Sequence, residues 1–247
     1  MQIKVYENYQ KLIRAAAEEF VRLSEKSIRA RGIFSVALAG GSTPLGVYGL
    51  LATHSFNQRV DWRNVHLFWG DERFVPWDHP DSNYNSAKEA LLDHIAIPEG
   101  NVHPFRTDLP AAEAADLYSS ELDRLLGPSP EFDLVFLGMG ADGHTASLFP
   151  GSEAIFEKQK TVTAHYVKSI RAWRLTLTPV VLNRAAAIIF LVSGSPKANT
   201  LRRVLEGSFE PTLYPAQIIQ PENGDLLWMF DQPAAELLGP DGNIVKY

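Results

Sequence analysis

Residues 33–44 read IFSVALAGGSTP, and this stretch decides the fold class of the chain. The mostly apolar run Ile33–Ala39 has the length and composition of a buried β-strand. Gly40 and Gly41 end that strand, and Pro44 is typical of the first turn of a helix. A strand that passes through a short glycine turn into a helix is the repeating unit of α/β proteins with parallel sheets.

The same alternation extends to both sides of this stretch. Apolar or alternating runs of strand length predict further strands at Val65–Trp69, Phe132–Leu137, Trp173–Thr178, Ala186–Ser193 and Leu226–Phe230. Apolar periodicity and helix end signals predict helices over residues 8–31, 44–53, 82–94, 111–126 and 196–206. The pattern predicts an α/β fold with a mostly parallel sheet and helices on both faces. Because no linker or repeat interrupts it, residues 1–247 are expected to form a single domain.

Composition and charge exclude several classes of function. The 247-residue chain has no cysteine, which rules out disulfides, thiolate chemistry and zinc sites built from cysteine. A formal net charge of −6 argues against a nucleic-acid partner, although a small anionic ligand would need only local positive groups. The N-terminus lacks the features of a signal peptide, and no apolar run approaches the roughly 18 residues of a membrane span. We therefore expect a cytoplasmic protein without a membrane partner, and the sequence carries no signal for an oligomeric state.

Polar, glycine-containing segments follow the predicted strands, and ligands of open parallel sheets bind beyond the carboxyl ends of such strands. The first segment is AGGSTP at residues 39–44. The backbone N–H groups of Gly41, Ser42 and Thr43 lie at the start of a predicted helix and favour a phosphate, and the hydroxyls of Ser42 and Thr43 add donors. The alternative is a tight turn in which Thr43 caps the helix. The segment is not a P-loop, because no Gly-Lys-Ser/Thr follows it.

The second segment, Gly70–Arg73, directly follows the strand Val65–Trp69 and contains three consecutive charged residues, Asp71, Glu72 and Arg73. Arg73 is a candidate to hold a substrate anion or a developing oxyanion, since its guanidinium forms strong charge-assisted hydrogen bonds. The alternative is a solvated loop whose charges pair with one another.

The third segment, GMGADGHTASLFPG at residues 138–151, contains the candidate catalytic histidine, His144. An imidazole with the ordinary pKa of about 6.5 can act as a general base near neutrality. Asp142 either orients the ring or caps a turn. Ser147 lacks the motif of an activated nucleophile. The other histidines show no metal-site spacing, so neither a metal nor another cofactor is expected.

The fourth segment, Ser193–Lys197, leads from a strand into a helix that begins near Pro196. Lys197 then lies in the first turn, where the helix dipole disfavours a cation by about 0.3–1 kcal/mol unless an anion binds. The alternative is an exposed lysine that turns away. Arg174, within Trp173–Thr178, either pairs locally at a sheet edge or reaches a phosphate. Together the segments predict a small phosphorylated substrate and proton transfer without a metal.

Several of these segments resemble those of the 6-phosphogluconolactonases, in the glucosamine-6-phosphate isomerase/6-phosphogluconolactonase family, in the same order and spacing. They are AGGSTP (39–44), FWGDERFVP (68–76), SNYN (82–85), LGMGADGHTASLFPG (137–151), RLTLTPVVLN (174–183) and SGSPKA (193–198). The resemblance implies a Rossmann-like fold and hydrolysis of 6-phospho-D-glucono-1,5-lactone to 6-phospho-D-gluconate, in the oxidative pentose phosphate pathway.

The resemblance also implies roles for individual residues. His144 corresponds to the proposed general base of the family, and Arg73 to an arginine near the substrate. Asp71 and Asp142 correspond to acidic positions of the superfamily. The positions associated with phosphate or substrate binding are Gly41, Ser42, Thr43, Arg174 and Lys197.

Two alternatives belong to other functional classes. A glucosamine-6-phosphate deaminase would carry an acidic partner for the histidine where this chain has Phe149, and a phenyl ring neither titrates nor orients an imidazole by hydrogen bonding. A non-catalytic sugar-phosphate sensor would normally carry an effector module such as a helix-turn-helix, and no segment of the sequence is left to form one. The sequence therefore favours the lactonase.

Overall fold

The computed structural model describes residues 1–239 and 244–246 of the chain. In chain order, the strands are β1 (Gln2–Tyr6), β2 (Phe34–Leu38), β3 (Val65–Trp69), β4 (Asp71–Arg73), β5 (Val102–His103), β6 (Leu134–Leu137), β7 (Val162–Val167), β8 (Ala172–Leu177), β9 (Ala187–Val192), β10 (Asp225–Asp231) and β11 (Ile244–Lys246). The α-helices are α1 (Tyr9–Arg31), α2 (Ser42–Leu51), α3 (His54–Asn57), α4 (Asn83–Ala90), α5 (Ala111–Leu126), α6 (Pro179–Leu182), α7 (Ala198–Glu206) and α8 (Gln232–Ala235). Short 3-10 helices lie at Trp62–Asn64, Leu92–His94, Glu99–Asn101, Glu153–Phe156, Ser195–Lys197 and Pro215–Ile218.

Eight of these strands form one parallel sheet, in the order β11-β1-β10-β9-β6-β2-β3-β5. Strands β2, β6 and β9 are buried along their whole length, as expected for a parallel sheet covered on both faces. The register pairs Leu38 of β2 with Trp69 of β3, and Leu137 of β6 with Phe190 of β9. The carboxyl ends of these four strands therefore lie at one edge of the sheet, and the predicted parallel α/β fold is confirmed.

Helices cover both faces of this sheet. In β3, Phe68 contacts Tyr118 of α5, whereas the next residue, Trp69, contacts Tyr84 of α4. Because successive side chains of a strand point to opposite faces, α4 and α5 lie on opposite sides of the sheet. Helix α2 packs against both α1 and α4, so these three helices share one face.

A second, smaller sheet departs from the prediction of one parallel sheet. Strand β8 confirms the strand predicted at residues 173–178, but it pairs antiparallel with both β4 and β7 in a three-stranded sheet. Strand β7 was not predicted, because its sequence VTAHYV mixes polar and apolar residues. A short turn at residues 168–171 joins β7 to β8, and such short connections can join only antiparallel neighbours.

The remaining boundaries agree with the predictions to within a few residues. The helix predicted at 82–94 ends at Ala90 and is followed by a 3-10 turn at Leu92–His94. The single-domain architecture is present, while its extension over all of residues 1–247 stays a prediction, since residues 240–243 and 247 lie outside the described part. Among residues 1–239 and 244–246, no helix combines the length and apolar character that crossing a membrane requires.

The chain path marks the place in the sheet where a ligand is expected. In this sheet the chain passes from β2 to β3, which lies on one side of β2. Strand β6 lies on the other side of β2, and from it the chain passes to β9, farther away in that direction. Neighbouring strands whose chains leave in opposite directions create a crevice at their carboxyl ends. The crevice between β2 and β6 is therefore the expected binding position.

Candidate active site

The carboxyl ends of β2, β3, β6 and β9 surround a cleft of about 240 Å³. The predicted site residues that line it are Gly41, Ser42, Thr43, Asp71, Arg73, His144 and Lys197. Asp142 and Arg174, although within the described residues, do not line the cleft. Each is next to a lining residue, because Asp142 contacts His144 and Arg174 pairs with Arg73 between strands β8 and β4. The four predicted segments therefore meet at one crevice.

His144 and Asp142 form a hydrogen-bonded pair at this cleft. His144 Nδ1 lies 2.6 Å from Asp142 Oδ1, and the backbone N–H of His144 donates to the same oxygen at 3.2 Å. Partial burial opposes ionisation of Asp142, but its hydrogen bonds with His144 and the charge of that ring hold the pKa of the carboxyl below its usual value. An ionised carboxylate only accepts, so Nδ1 carries the proton and the basic lone pair of the neutral ring lies on Nε2. Asp142 thus both orients the ring and closes a turn.

The His144–Asp142 pair requires a glycine at position 140. A Cβ atom at Gly140 would lie 2.1 Å from His144 Nδ1 and 2.4 Å from Asp142 Oδ1. The backbone N–H of Gly140 also donates to the carbonyl of His144 at 2.8 Å, which closes the loop around the pair. A glycine at this position therefore leaves room for the side chains of His144 and Asp142 to approach the backbone closely.

Phe149 covers one face of the imidazole. The rings of Phe149 and His144 stack with centroids 4.3 Å apart and planes inclined by 23°. This is the position at which a deaminase would place an acidic partner, and the phenyl ring offers packing in its place. Within the described residues, His144 Nε2 has no hydrogen-bond partner, so this nitrogen is available to a water molecule or a substrate.

The glycine turn after β2 presents the start of a helix to the cleft. Gly41 has φ of 95°, in the region that favours glycine, and helix α2 begins at Ser42. The interpretation of Thr43 as the helix cap is wrong, because Gly41 takes that position and no side chain in the described part of the chain caps the first turn. The N–H groups of this turn can therefore bind an anion, as the dipole of α2 favours.

Lys197 lines the cleft from the turn that follows β9. Gly194 has φ of 91° and begins a 3-10 turn at Ser195–Lys197, before α7. Partial burial lowers the pKa of Lys197, and the negative charge of Asp142 opposes this effect. The lysine therefore does not turn away into solvent, and its ammonium would gain from an anionic ligand.

Asp231, at the end of β10, holds this turn in place. Its carboxylate accepts the hydroxyl of Ser193, the backbone N–H of Gly194 at 2.9 Å and that of Ala234 at 3.0 Å. Sequence reasoning missed this residue. The signal that could have found it is an acidic residue close behind an apolar run, which marks Asp231 after LLWMF as it marks Asp71 after VHLFW.

The charged segment after β3 is a buried strand. Asp71 and Glu72 are only 9% and 1% exposed, so the alternative of a solvated loop is wrong. Burial raises the pKa of Glu72 to about 7, although three backbone N–H groups donate to it. Arg73 extends into the cleft lining, and its Nη1 donates to the carbonyl of Asp81 at 2.8 Å.

Asp71 is held by two residues from distant parts of the chain. The hydroxyl of Ser147 donates to Asp71 Oδ2 at 2.6 Å, and Asn83 Nδ2 donates to the Asp71 carbonyl at 2.9 Å. Ser147 is buried, which agrees with its lack of a nucleophile motif and gives it a role in orienting Asp71. Asn83 lines the cleft and was missed as an individual residue, although it belongs to the SNYN segment.

Arg174 is half-buried beside Arg73. Its Nη1 donates to the backbone carbonyl of Trp173 at 3.1 Å. Burial lowers the pKa of Arg174, and the neighbouring positive charge of Arg73 acts in the same direction. Arg174 lies on β8, the central strand of the smaller sheet, so its expected place at a sheet edge is wrong, although a local bond is present. Contact with a phosphate stays a prediction.

Comparisons with known proteins identify the family. The profile of the family described as glucosamine-6-phosphate isomerases/6-phosphogluconolactonase matches residues 7–228. A Synechocystis protein named 6-phosphogluconolactonase is 41% identical over 244 residues, which cover 97% of this chain and 99% of that protein. A Nostoc protein of the same name is 38% identical over 242 residues, covering 95% of this chain and 98% of the relative. The solved structure of 6-phosphogluconolactonase from Trypanosoma brucei has a TM-score of 0.85 and 34% identity, covering 96% of this chain and 98% of that one.

These matches span every segment that lines the cleft, from the glycine turn at Gly41 to Lys197. They confirm the resemblance drawn from the sequence segments. The chain therefore belongs to the glucosamine-6-phosphate isomerase/6-phosphogluconolactonase family.

Proposed function

We propose that the chain hydrolyses 6-phospho-D-glucono-1,5-lactone to 6-phospho-D-gluconate in the oxidative pentose phosphate pathway, with His144 as the general base. Its enzyme class is that of a lactone hydrolase, since relatives 41% and 38% identical over nearly the whole chain are named 6-phosphogluconolactonase. The observation that carries the mechanism is the His144 imidazole, oriented by Asp142, on a cleft that Arg73 and Lys197 also line.

The phosphate of the substrate is expected at the turn of Gly41, Ser42 and Thr43, with Lys197 as the cation. The open first turn of α2 and the partly buried ammonium support this position. Arg174 adds positive charge beside Arg73. Anchoring the phosphate holds the lactone ring in a fixed orientation to His144, which lowers the entropic part of the barrier.

In the proposed reaction, His144 Nε2 accepts a proton from a water molecule as its oxygen attacks the lactone carbonyl carbon. Arg73, or the N–H groups of the glycine loop, stabilises the oxyanion of the tetrahedral intermediate. The C–O bond to the ring oxygen then breaks, and the imidazolium returns its proton to that oxygen. Asp142 stabilises the positive charge on the ring throughout, and no covalent intermediate is needed.

The direct test is proton-release kinetics with freshly generated 6-phosphogluconolactone, run beside a glucosamine-6-phosphate deaminase assay on the same preparation. We expect lactone turnover above the spontaneous rate and no release of ammonia. Phe149 supports this expectation, because it leaves the histidine without the acidic partner of the deaminases. Ligand binding without turnover in either assay would favour a sugar-phosphate sensor instead.

Replacing Lys197 with alanine is expected to raise KM by about 10–100-fold with a smaller change in kcat. A charge-assisted hydrogen bond contributes about 1.5–3 kcal/mol, and this one forms with the non-reacting phosphate. Steady-state lactonase kinetics measure the effect, and exposed Lys158 provides a matched control as Lys158→Ala. An unchanged KM in the Lys197 variant would contradict the proposed phosphate position.

Replacing Asp142 with asparagine is expected to lower kcat by about 10–100-fold. The amide can donate to Nδ1, which would move the ring proton to Nε2 and remove the basic nitrogen from the cleft. The effect stays below that in buried triads because Asp142 is half exposed. Asp116→Asn on the exposed face of α5 is the control, and an equal kcat for both variants would exclude an orienting role.

A further inference from the structure

Glu72 has a buried carboxylate that the proposed reaction does not use. Both ends of the segment 73–84 donate hydrogen bonds to it. Its Oε1 accepts the backbone N–H of Arg73 at 2.8 Å and that of Asn83 at 2.7 Å. Its Oε2 accepts the backbone N–H of Tyr84 at 2.8 Å and the hydroxyl of Ser82 at 3.2 Å. One side chain therefore joins the start of the segment to its end.

The far end of this segment holds the side chain of Arg73. The guanidinium donates through Nη1 to the carbonyl of Asp81, the residue before Ser82. Because Glu72 accepts the hydroxyl of Ser82 and the backbone N–H of Asn83, it also restrains this carbonyl. The orientation of the Arg73 side chain at the cleft thus depends on a contact that Glu72 maintains.

The hydrogen bond between Glu72 and the backbone N–H of Asn83 also helps to hold Asn83 against the glycine turn after β2. The side chain of Asn83 lies so close to Gly40 that a Cβ atom there would be 2.0 Å from Asn83 Oδ1. Both residues line the cleft. Through its bond with the Asn83 N–H, Glu72 therefore links the charged segment after β3 to the candidate phosphate turn after β2.

We propose that Glu72 is a positioning residue for the lactonase reaction, which fixes the Arg73 guanidinium at the cleft by holding residues 82–84 against the start of the segment. This inference rests on the proposed function. Glu72 contacts neither the cleft nor, by this geometry, the substrate, and it acts through Arg73.

The test is a double-mutant cycle of Glu72→Gln and Arg73→Ala, read as kcat/KM for the lactone at pH 8, above the pKa of Glu72. Glutamine keeps the shape but replaces one acceptor oxygen with an N–H₂ donor, which repels one pair of the donors around it. We expect Glu72→Gln to lower kcat/KM by about 10–100-fold, since a displacement of about 1 Å can have such an effect. In the Arg73→Ala background the same change should cost less than about threefold, because coupled residues are not additive.

Asp133→Asn is the matched control for burial of a carboxylate. Asp133 is also buried and accepts the backbone N–H and hydroxyl of Ser35, but it precedes β6 at the opposite edge of the sheet. We expect this variant to lower the free energy of unfolding while kcat/KM stays within about twofold of the parent. Amide hydrogen exchange over residues 74–82 should rise in Glu72→Gln and not in Asp133→Asn.

If Glu72→Gln does not fold, Ser82→Ala removes one of the four hydrogen bonds to Glu72, together with the cap that the Ser82 hydroxyl forms on the Asn85 N–H of α4. It should lower kcat/KM by about two- to fivefold, again only when Arg73 is present. Multiplicative effects of the Glu72 and Arg73 changes, or an unchanged kcat/KM in Glu72→Gln, would overturn the role of Glu72 alone. A parent protein that does not hydrolyse the lactone would overturn the proposed function itself.

Discussion

Replacing His144 with alanine is expected to lower kcat by about 10²–10⁴-fold and to change KM little. In the proposed reaction the imidazole removes a proton from the attacking water and returns one to the ring oxygen, whereas the proposed phosphate contacts bind the substrate in its ground state. Its Nδ1 lies 2.6 Å from Asp142 Oδ1, so Nε2 is the nitrogen left to act in the proposed reaction. The fold should persist, because the side chain is partly exposed and packs only on the ring of Phe149 among the described aromatic residues.

Proton-release kinetics on freshly generated lactone measure this change, with the spontaneous rate subtracted. Exposed His54, outside the cleft, serves as control in a His54→Ala variant and should keep the parent kcat. Thermal unfolding of both variants separates loss of chemistry from loss of fold. Parent-like lactone hydrolysis by the His144 variant would show that another group activates the water.

Replacing Arg73 with alanine is expected to lower kcat/KM by about 10²–10³-fold, mainly through kcat. A pre-oriented donor at a developing oxyanion typically has an effect of this size. The guanidinium is held at the cleft by the carbonyl of Asp81, so little reorganisation is needed when negative charge develops on the substrate. Arg73→Lys should recover only part of the activity, since an ammonium lacks the planar fork of donors.

The kcat and KM values of the Arg73 variants, measured with the lactone, decide between two roles for this residue. A fall in kcat at constant KM supports stabilisation of the oxyanion. A rise in KM at constant kcat would instead assign Arg73 to phosphate binding. That result would contradict the proposal that Arg73 stabilises the oxyanion while Lys197 binds the phosphate. Arg63→Ala, at an arginine whose side chain is 81% exposed, is the matched control.

The parts of the site that sequence reasoning predicted share one property. Gly41, Arg73, His144 and Lys197 each follow an apolar run that is buried as a strand, and parallel strands place their carboxyl ends at one edge. The convergence of these residues on one cleft therefore followed from local patterns and one topological rule. Arg174 is the exception, because its strand belongs to the antiparallel sheet and its side chain does not line the cleft.

Features that depend on pairing between distant segments could not be predicted well from local sequence patterns. The strand Asp71–Arg73 has the composition of a loop, and it is a strand because it pairs with β8 about 100 residues later. The bond between Ser147 and Asp71 joins residues 76 positions apart, and nothing in either segment indicates it. In the sequence Glu72 is only one of three consecutive charges, and its hydrogen bonds to residues 82–84 appear only in the folded chain.

Periodicity, glycine positions and charged residues at strand ends were thus sufficient for the fold class, the edge of the sheet that holds the cleft and the identity of its histidine and cations. Only the three-dimensional packing shows which carboxylates are buried, that Asp142 contacts the His144 ring, and that Glu72 accepts the hydrogen bonds of residues 82–84. The physical reason is that backbone conformation and burial patterns arise from neighbouring residues, whereas the hydrogen bonds of a buried carboxylate are selected by whichever distant donors the fold brings within about 3 Å.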